Sequence, residues 1–295
     1  MFFTLELSIF AKKNVMENED NSPEKMQELN NIALQSPDYF ERADAVKQIS
    51  DESVLIQVVL NDPDYYVRQL AIDKINDQET LIKCAKTDSD YYVRMIAVKK
   101  ITDENILSEI ALNGEEDYFI CKEAVTNIHD QELLLKIIND SADKDIRSAA
   151  INHVTDQAVL ADLAKNSSDF YVRNDAIKLL TNQETLEGIA MTDTDYYVRI
   201  MAVKRLTNLD IIKHIAFYDP DYSVRKEAVA LIHDEEVLAQ IVNKDQDIQV
   251  RKEALNGISK REILREISES NDDTYIQSKA QHKLDKMKPE KEDDN

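Results

Sequence analysis

A single spacing limits what this chain can fold into: the motif Asp-Pro-Asp-Tyr-Tyr-Val-Arg at residues 62–68 returns, with few changes, about every 26 residues. The second aspartate of each copy is taken as position 0, the origin from which positions are counted. The ten origins are Asp38, Asp64, Asp90, Asp117, Asp143, Asp169, Asp195, Asp221, Asp247 and Asp273. The register slips once, by one residue inserted near Gly114. Ten short copies in register predict a stacked array in which each repeat contacts its neighbours.

Apolar residues predict two helices in each copy. Position 7 is alanine in all ten copies, as at Ala71, and position 11 is Ile, Val or Leu. With the Val or Ile that most copies carry at position 3, these residues lie on one face of a first helix. Positions 17, 20 and 21, such as Leu81, Cys84 and Ala85, are spaced for a second amphipathic helix. The predicted fold class is all-α: an α-solenoid of nine to ten two-helix repeats.

Polar residues mark where each helix is expected to begin. At position −2, Asp62 and its equivalents are expected to start the first helix, with Pro63 as the first helical residue. At position 12, Ser50 and Thr102 are expected to cap the second helix, and His129 occupies the same position. Helices this short are unstable alone, so we expect the array to fold by burying its apolar faces between neighbouring repeats.

Three segments are expected along the chain. Residues 22–287 form the solenoid, which opens with a lone second helix at Ser22-Pro23 and closes with a lone first helix. Residues 1–21 are expected to be disordered or to include a misassigned start before Met16; the alternative is an amphipathic helix that packs on the first repeat or touches a membrane surface. Their apolar run is too short to span a bilayer. The charged tail, 288–295, is expected to be disordered.

Charge and cysteine content restrict the partner and the compartment. With 36 basic and 58 acidic residues the net charge is −22, which disfavours nucleic acid and anionic membranes as partners. The same charge fits a basic protein partner or simple solubility. Cys84 and Cys121 have no metal-ligand spacing, so we expect packing residues in a reducing, cytoplasmic compartment, and neither metal nor cofactor.

The core Asp-x-x-x-Val-Arg-x-x-Ala, as in Asp64, Val67, Arg68 and Ala71, resembles the signature of HEAT-like repeats and of the leucine-rich-repeat-variant family. The resemblance covers nearly the whole chain after residue 22. It implies a structural ladder of hydrogen bonds between successive repeats. The implied pairs are Asp64 with Arg68, Asp90 with Arg94, Asp169 with Arg173, Asp195 with Arg199, Asp221 with Arg225, and Asp247 with Arg251. Because Cys121 replaces the arginine in the fourth copy, the ladder is expected to weaken there.

The sequence gives no sign of catalytic chemistry. It lacks the His-Glu pair of HEAT-like hydroxylases, the HExxH motif and a phosphate-binding loop, and no nucleophile stands beside a base. The iron–sulfur cluster of some leucine-rich-repeat-variant proteins needs clustered cysteines. We therefore expect no enzyme. Since HEAT-like architecture also includes DNA glycosylases and bilin lyases, the alternative is such an enzyme, or an accessory subunit, with an unrecognised pocket.

An exposed aromatic stripe is the candidate binding surface. Position 2 lies almost opposite the core on a helical wheel, and positions 5 and 6 lie on the same outer face. The candidate partner-binding residues are Tyr66, Leu70, Tyr92, Met95, Ile96, Tyr171, Tyr197, Ile200 and Met201. Aromatic residues are typical of binding hot spots, which predicts a scaffold for a protein or peptide. The alternative is that the tyrosines pack over the preceding turn and only anchor the first helix.

Overall fold

The structure is a computed structural model that describes residues 22–287, so the expectations for 1–21 and 288–295 lie outside the described residues. Residues 22–287 contain twenty α-helices and no β-strand. In chain order they are α1 (Pro23–Gln35), α2 (Tyr39–Gln48), α3 (Glu52–Asn61), α4 (Tyr65–Lys74), α5 (Gln78–Thr87), α6 (Tyr91–Lys100), α7 (Glu104–Ala111), α8 (Tyr118–Thr126), α9 (Gln131–Asp140), α10 (Lys144–Ile151), α11 (Gln157–Asn166), α12 (Phe170–Leu179), α13 (Gln183–Thr192), α14 (Tyr196–Val203), α15 (Leu209–Tyr218), α16 (Tyr222–Val229), α17 (Glu235–Lys244), α18 (Ile248–Gly257), α19 (Arg261–Ser270) and α20 (Thr274–Lys286).

The chain divides into two compact units, one ending at Ala149 and one beginning at Ala150. Even-numbered helices are the first helices of the repeat, and odd-numbered helices are the second. In each unit a second helix packs against the first helix that follows it, as α3 does on α4 and α13 on α14. First helices of successive repeats also pack side by side, as α4 does on α6 and α14 on α16. The predicted all-α, two-helix repeat is confirmed, and each unit is a segment of α-solenoid.

The core of each unit follows the repeat. Position 7 is completely buried at Ala71 and Ala124 in the first unit and at Ala202 in the second, so the small side chain lets neighbouring backbones approach closely. Position 11 is buried with it, as at Ile75 and Ile128. Burying one such side chain contributes about 1.5–3 kcal/mol. Each unit contains such buried side chains in successive repeats, and the contributions accumulate along it.

The first helices begin two residues later than predicted, so the assignment of Asp62 as their cap was wrong. The cap is the origin itself: Asp64 Oδ1 accepts the Tyr66 N–H at 2.9 Å, and α4 begins at Tyr65. Asp62 instead ends α3, and its carboxylate accepts the Asp64 N–H at 2.8 Å. Pro63 therefore precedes the cap and is not the first helical residue. This register puts position 2 in the first turn of every first helix that an origin aspartate caps.

The second helices begin one residue later than predicted. Asp103, at position 13, caps α7 by accepting the Asn105 N–H at 2.9 Å. Thr102 and the other residues at position 12 stand just before the cap, so the assignment of position 12 as the cap was wrong. The N–H of Thr102 donates to Gln78 of the preceding repeat at 2.9 Å. Position 12 thus contributes a hydrogen bond between repeats and does not cap the start of its own second helix.

Candidate functional site

Exposed aromatic side chains form a row on the first helices of each unit. We call these residues the aromatic stripe: Phe40, Tyr66, Tyr92 and Phe119 in the first unit, and Tyr171, Tyr197 and Tyr275 in the second. All seven are exposed, from 40% at Tyr66 to 61% at Phe40 and Phe119. The exposure expected at position 2 is therefore present, because the residue stands in the first turn on the side away from the buried alanine.

Each of five stripe residues is paired with the aromatic residue before it. The ring centres of Tyr91 and Tyr92 lie 5.1 Å apart with their planes near a right angle, and those of Tyr196 and Tyr197 lie 4.7 Å apart. Tyr91 is half-buried, and burial raises its pKa, with the charge of Asp117 adding to the effect. Tyr92 is 60% exposed. In this pair, position 1 does the packing and position 2 is left to solvent.

The structure brings the nine candidate residues together in two groups, one in each unit. In the first unit, neighbouring helices α4 and α6 carry the group Tyr66, Leu70, Tyr92, Met95 and Ile96. In the second unit, α12 and α14 carry Tyr171, Tyr197, Ile200 and Met201. The four tyrosines are exposed, whereas the five aliphatic residues are half-buried. The aliphatic side chains therefore form a partly buried apolar surface beside the tyrosines.

The arginines do link successive repeats, with a different acid from the one that the family resemblance implied. Arg68 donates through Nε and Nη2 to the two carboxylate oxygens of Asp88, at 2.9 and 2.8 Å, and through Nη1 to the backbone oxygen of Asp62 at 3.0 Å. Asp88 stands at position −2 of the next repeat. Asp64 is occupied in capping its own helix, which is why it does not pair with Arg68.

The same pattern recurs in both units. The further arginine–acid pairs are Arg42 with Asp62, Arg173 with Asp193, Arg199 with Asp219, and Arg225 with Asp245. Hydrogen bonds to the acid raise the pKa of Arg68, Arg199 and Arg225. Sequence reasoning missed Arg42, although the constant separation of 20 residues between arginine and acid could have found it.

Two members of the ladder are irregular. Arg94 reaches only one carboxylate oxygen, Oε1 of Glu116, at 3.1 and 3.3 Å, and Gly114 stands 20 residues after it in place of the usual aspartate. Arg251 donates to Asn271 at 2.6 Å and to Asp272 at 2.9 Å, and its nearest contact with an origin aspartate is 3.5 Å, to Asp273. The pairs implied by the resemblance therefore contain the arginines that form the ladder, but the origin aspartates in those pairs are not the acids that the arginines bind.

Two more sets of contacts between repeats escaped sequence reasoning. The carboxylate of Glu104, the first residue of α7, accepts the N–H groups of His129 and Asp130 at 3.0 and 2.8 Å, and these bonds lower its pKa. Lysines at position 10 reach the end of the previous first helix: Lys74 Nζ donates to backbone oxygens of Val46 and Lys47, at 2.9 Å each. Burial lowers the pKa of Lys74. The sequence signal for the contacts of Glu104 and its equivalents is the Glu or Gln that most copies carry at position 14.

Within residues 22–287, no three or more His, Cys, Asp or Glu side chains are grouped so that they could hold a metal ion. In the same part of the chain, no helix combines the length and the apolar character that crossing a bilayer requires.

Comparison with known proteins gives a weak similarity to a solved structure. No family model matches the sequence, and no curated protein matches it either. Among solved structures, the chain is similar to the X-ray structure of YibA from Escherichia coli, with 18% identity over 86% of this chain and 98% of that one, at a TM-score of 0.32. A similarity of this size carries no argument, so the fold rests on the helix pairs described above.

Proposed function

We propose that this chain is a non-enzymatic scaffold of HEAT-like repeats that binds a protein or a peptide along the aromatic stripe. The observation that carries the proposal is the exposure of aromatic side chains at the same position of successive first helices, for example Tyr66 and Tyr92 in the first unit. The arginine ladder, which joins successive repeats through buried ion pairs, supports the HEAT-like assignment.

Aromatic rows of this kind suit a partner surface. Tyrosine contributes a large contact area for the loss of few rotatable bonds and is enriched among residues whose truncation weakens binding most. Half-buried Met95 and Ile96 beside Tyr92 supply an apolar surface on which a partner side chain can pack. Tyr197 with Ile200 and Met201 gives the second unit the same combination.

The charge of the chain favours a basic partner. The net charge of −22 attracts a cationic polypeptide and speeds its association, most strongly at low salt. Most ladder arginines are engaged inside the array, as Arg199 is with Asp219, so they do not offset the acidic surface. The free, buried cysteines Cys84 and Cys121 fit a reducing compartment, and the proposal places the scaffold in the cytoplasm.

The test is affinity capture with the full chain, comparing the wild type with Tyr66→Ala/Tyr92→Ala and, separately, with Tyr171→Ala/Tyr197→Ala. The control is Tyr218→Ala, because Tyr218 is 71% exposed but lies on a second helix outside the stripe. For a captured protein, we expect a stripe variant to weaken binding by about 2 kcal/mol, roughly thirtyfold in Kd, while the control binds as the wild type does.

Two outcomes would contradict the proposal. If the stripe variants and the wild type capture the same proteins with the same Kd, the tyrosines only anchor their helices. If Tyr218→Ala loses as much as the stripe variants do, the binding depends on exposed tyrosine in general and not on the stripe. Circular dichroism of each variant checks that the helices are unchanged.

A further inference from the structure

We infer that the aromatic stripe of the first unit binds a proline-rich segment of a partner polypeptide in the polyproline II conformation, with proline at every third residue and basic residues along one flank. The inference rests on the proposed function, because it names the chemistry of the partner that the stripe takes. It concerns the first unit, where four successive repeats carry an aromatic residue at position 2. In the second unit, Ser223 and Gln249 interrupt the stripe.

The spacing of the stripe matches one conformation of a bound chain. Neighbouring first helices pack side by side, as α4 does on α6, and the axes of packed helices lie about 8–10 Å apart. A polyproline II helix has three residues per turn and rises about 3.1 Å per residue, so every third side chain lies on one face at intervals of about 9.3 Å. A β-strand presents side chains to one face about 6.7 Å apart, and an α-helix returns to the same face after about 10.5 Å. Polyproline II therefore matches best the placing of one residue on each repeat.

The aromatic side chains suit proline. Tyr66 and Tyr92 are exposed on neighbouring helices, with half-buried Met95 and Ile96 beside Tyr92. Aromatic grooves are the usual receptors of polyproline II segments, because the conformation exists before binding and the segment loses little entropy when it docks. One proline on each of the four aromatic residues of the first unit corresponds to a segment of about ten residues.

The tyrosine hydroxyls can bind the backbone of such a segment. No residue within 22–287 accepts a hydrogen bond from the hydroxyl of Tyr66 or Tyr92. A polyproline II segment has no internal hydrogen bonds, so its carbonyl groups can accept bonds from these hydroxyls. Most carbonyl groups of an α-helix are already bonded within the helix. A tyrosine therefore offers a ring to the proline and a donor to the neighbouring carbonyl group.

Acidic side chains lie along one flank of the stripe. Asp64, Asp90 and Asp117 stand two residues before stripe residues and cap their helices through Oδ1, which accepts backbone N–H groups at 2.9, 3.0 and 2.8 Å. In the part of the chain that the structure describes, Oδ2 of each accepts no hydrogen bond and can take one from a basic side chain. On the other flank, the exposed Lys47 and Lys99 stand at position 9, about 10 Å further along their helices. The basic residues of the partner therefore belong on the aspartate side.

The test measures the binding of synthetic peptides to the full chain by the fluorescence anisotropy of a dye on the peptide. The probe is a peptide of four Pro-Arg-Ala units. In the shifted peptide, the second and fourth prolines exchange places with the alanines before them, so that composition, charge and the positions of the arginines are unchanged. We expect the shifted peptide to bind about tenfold more weakly than the probe, because half of its prolines lose register with the stripe.

Protein variants locate the contacts. Tyr66→Ala/Tyr92→Ala is expected to weaken binding of the probe by about tenfold or more, whereas Tyr218→Ala, exposed but on a second helix, is expected to leave it unchanged. Asp64→Asn/Asp117→Asn removes two charges and keeps the capping oxygens, since asparagine caps a helix as well as aspartate does. We expect this variant to weaken the probe about threefold and to leave a peptide with citrulline in place of arginine unaffected.

Three results with the peptides would overturn the inference. If the probe does not bind, the stripe does not take a polyproline II segment. If the probe and the shifted peptide bind equally, the acidic chain attracts arginine without reading the spacing of proline. If a peptide with alanine in place of every proline binds more tightly than the probe, the stripe takes a helix. All three comparisons use the wild-type chain, so they hold even where a variant does not fold.

This inference and the proposed function fail in different ways. If the probe does not bind while Tyr66→Ala/Tyr92→Ala still loses a protein that the wild type captures, the stripe is a binding surface and only the polyproline II partner is wrong. If that variant captures the same proteins with the same Kd as the wild type, and the probe does not bind, both are wrong.

Discussion

The second and fourth repeats, both in the first unit, share a buried core and differ at the arginine position of the ladder. Ala71 and Ala124 are equally buried at position 7 of the two repeats. At the edge, Arg68 holds Asp88 through two hydrogen bonds, whereas the fourth repeat has Cys121 in place of the arginine. In the fifth repeat, the neutral Ser141 replaces the aspartate.

The difference shows that a repeat keeps its buried core without its own ladder arginine. The fourth repeat keeps its helices and its buried Ala124 and Ile128 with no arginine of its own at position 4, so that arginine is not needed to bury them. A buried ion pair loses much of its gain to desolvation, which makes it a weak source of net stability once formed. Removing one of its two residues is strongly destabilising, because the remaining buried charge has no partner.

The largest expected effect is therefore the loss of one arginine from the regular contact. Arg68→Ala is expected to lower the free energy of unfolding by about 3 kcal/mol, because the Asp88 side chain, 9% exposed, keeps its charge without a cation. Arg94→Ala is expected to cost about 1 kcal/mol, because Glu116 holds Arg94 through one oxygen only. Urea unfolding of the full chain, with hydrogen exchange to locate the loss, measures both.

The control for this prediction is the double variant Arg68→Ala/Asp88→Asn. Asparagine can keep the bond that Asp88 accepts from the Asp90 N–H while removing the charge, so part of the lost stability is expected to return. Equal costs for Arg68→Ala and Arg94→Ala would show that the two edges do not differ in energy as they differ in geometry.

The second prediction concerns what the second and fourth repeats share. Ala71→Leu and Ala124→Leu are each expected to cost about 2 kcal/mol, because both alanines are completely buried and the added methylene groups force neighbouring backbones apart. Asp73→Leu, at an exposed position of α4, is the control and is expected to be neutral. Thermal and urea unfolding measure the effect. If Ala124→Leu were tolerated while Ala71→Leu was not, the fourth repeat would be packed more loosely than the second.

Sequence alone predicted the parts of this fold that depend on local periodicity. The spacing of Ala71 and Ile75, repeated through the chain, was enough for the helix pairs and the core. It could not place the helix starts, because Asp62 and Asp64 are both good capping residues and lie two residues apart. In the structure Arg42, 20 residues before Asp62, binds Asp62, and Asp64 caps α4.

The exposure of the candidate surface was predictable only in part. A helical wheel places Tyr92 away from the core, as the structure does. It put Met95 and Ile96 on the same outer face, whereas both are half-buried, because a wheel treats each helix alone and the neighbouring first helices cover its flanks.

The third prediction sharpens the comparison at position 10, where Lys100 of the third repeat gives way to Asn127 in the fourth. Lys100→Met is expected to cost about 1 kcal/mol, because Lys100 Nζ donates to backbone oxygens of Ile72 and Asp73 at the end of α4. Lys99→Met, on the same helix but exposed, is the control and is expected to be neutral. Equal costs would assign the effect to charge in general and not to the bonds with α4.

The smallest expected effect is a difference in acid sensitivity at position 14, where the second repeat has neutral Gln78 and the third has Glu104. Because the pKa of Glu104 is lowered by the bonds from Asp130 and His129, its charge stabilises the fold above about pH 4.3, and this contribution is lost as the pH falls through the folded-state pKa. Glu104→Gln is expected to remove that dependence and to change stability by less than about 0.5 kcal/mol at neutral pH, since solvent screens the group. Gln78→Glu is expected to create the same dependence one repeat earlier. Urea unfolding between neutral and acidic pH measures both, and a wild type and a Glu104→Gln variant that lose stability in parallel would show that Glu104 is not the source.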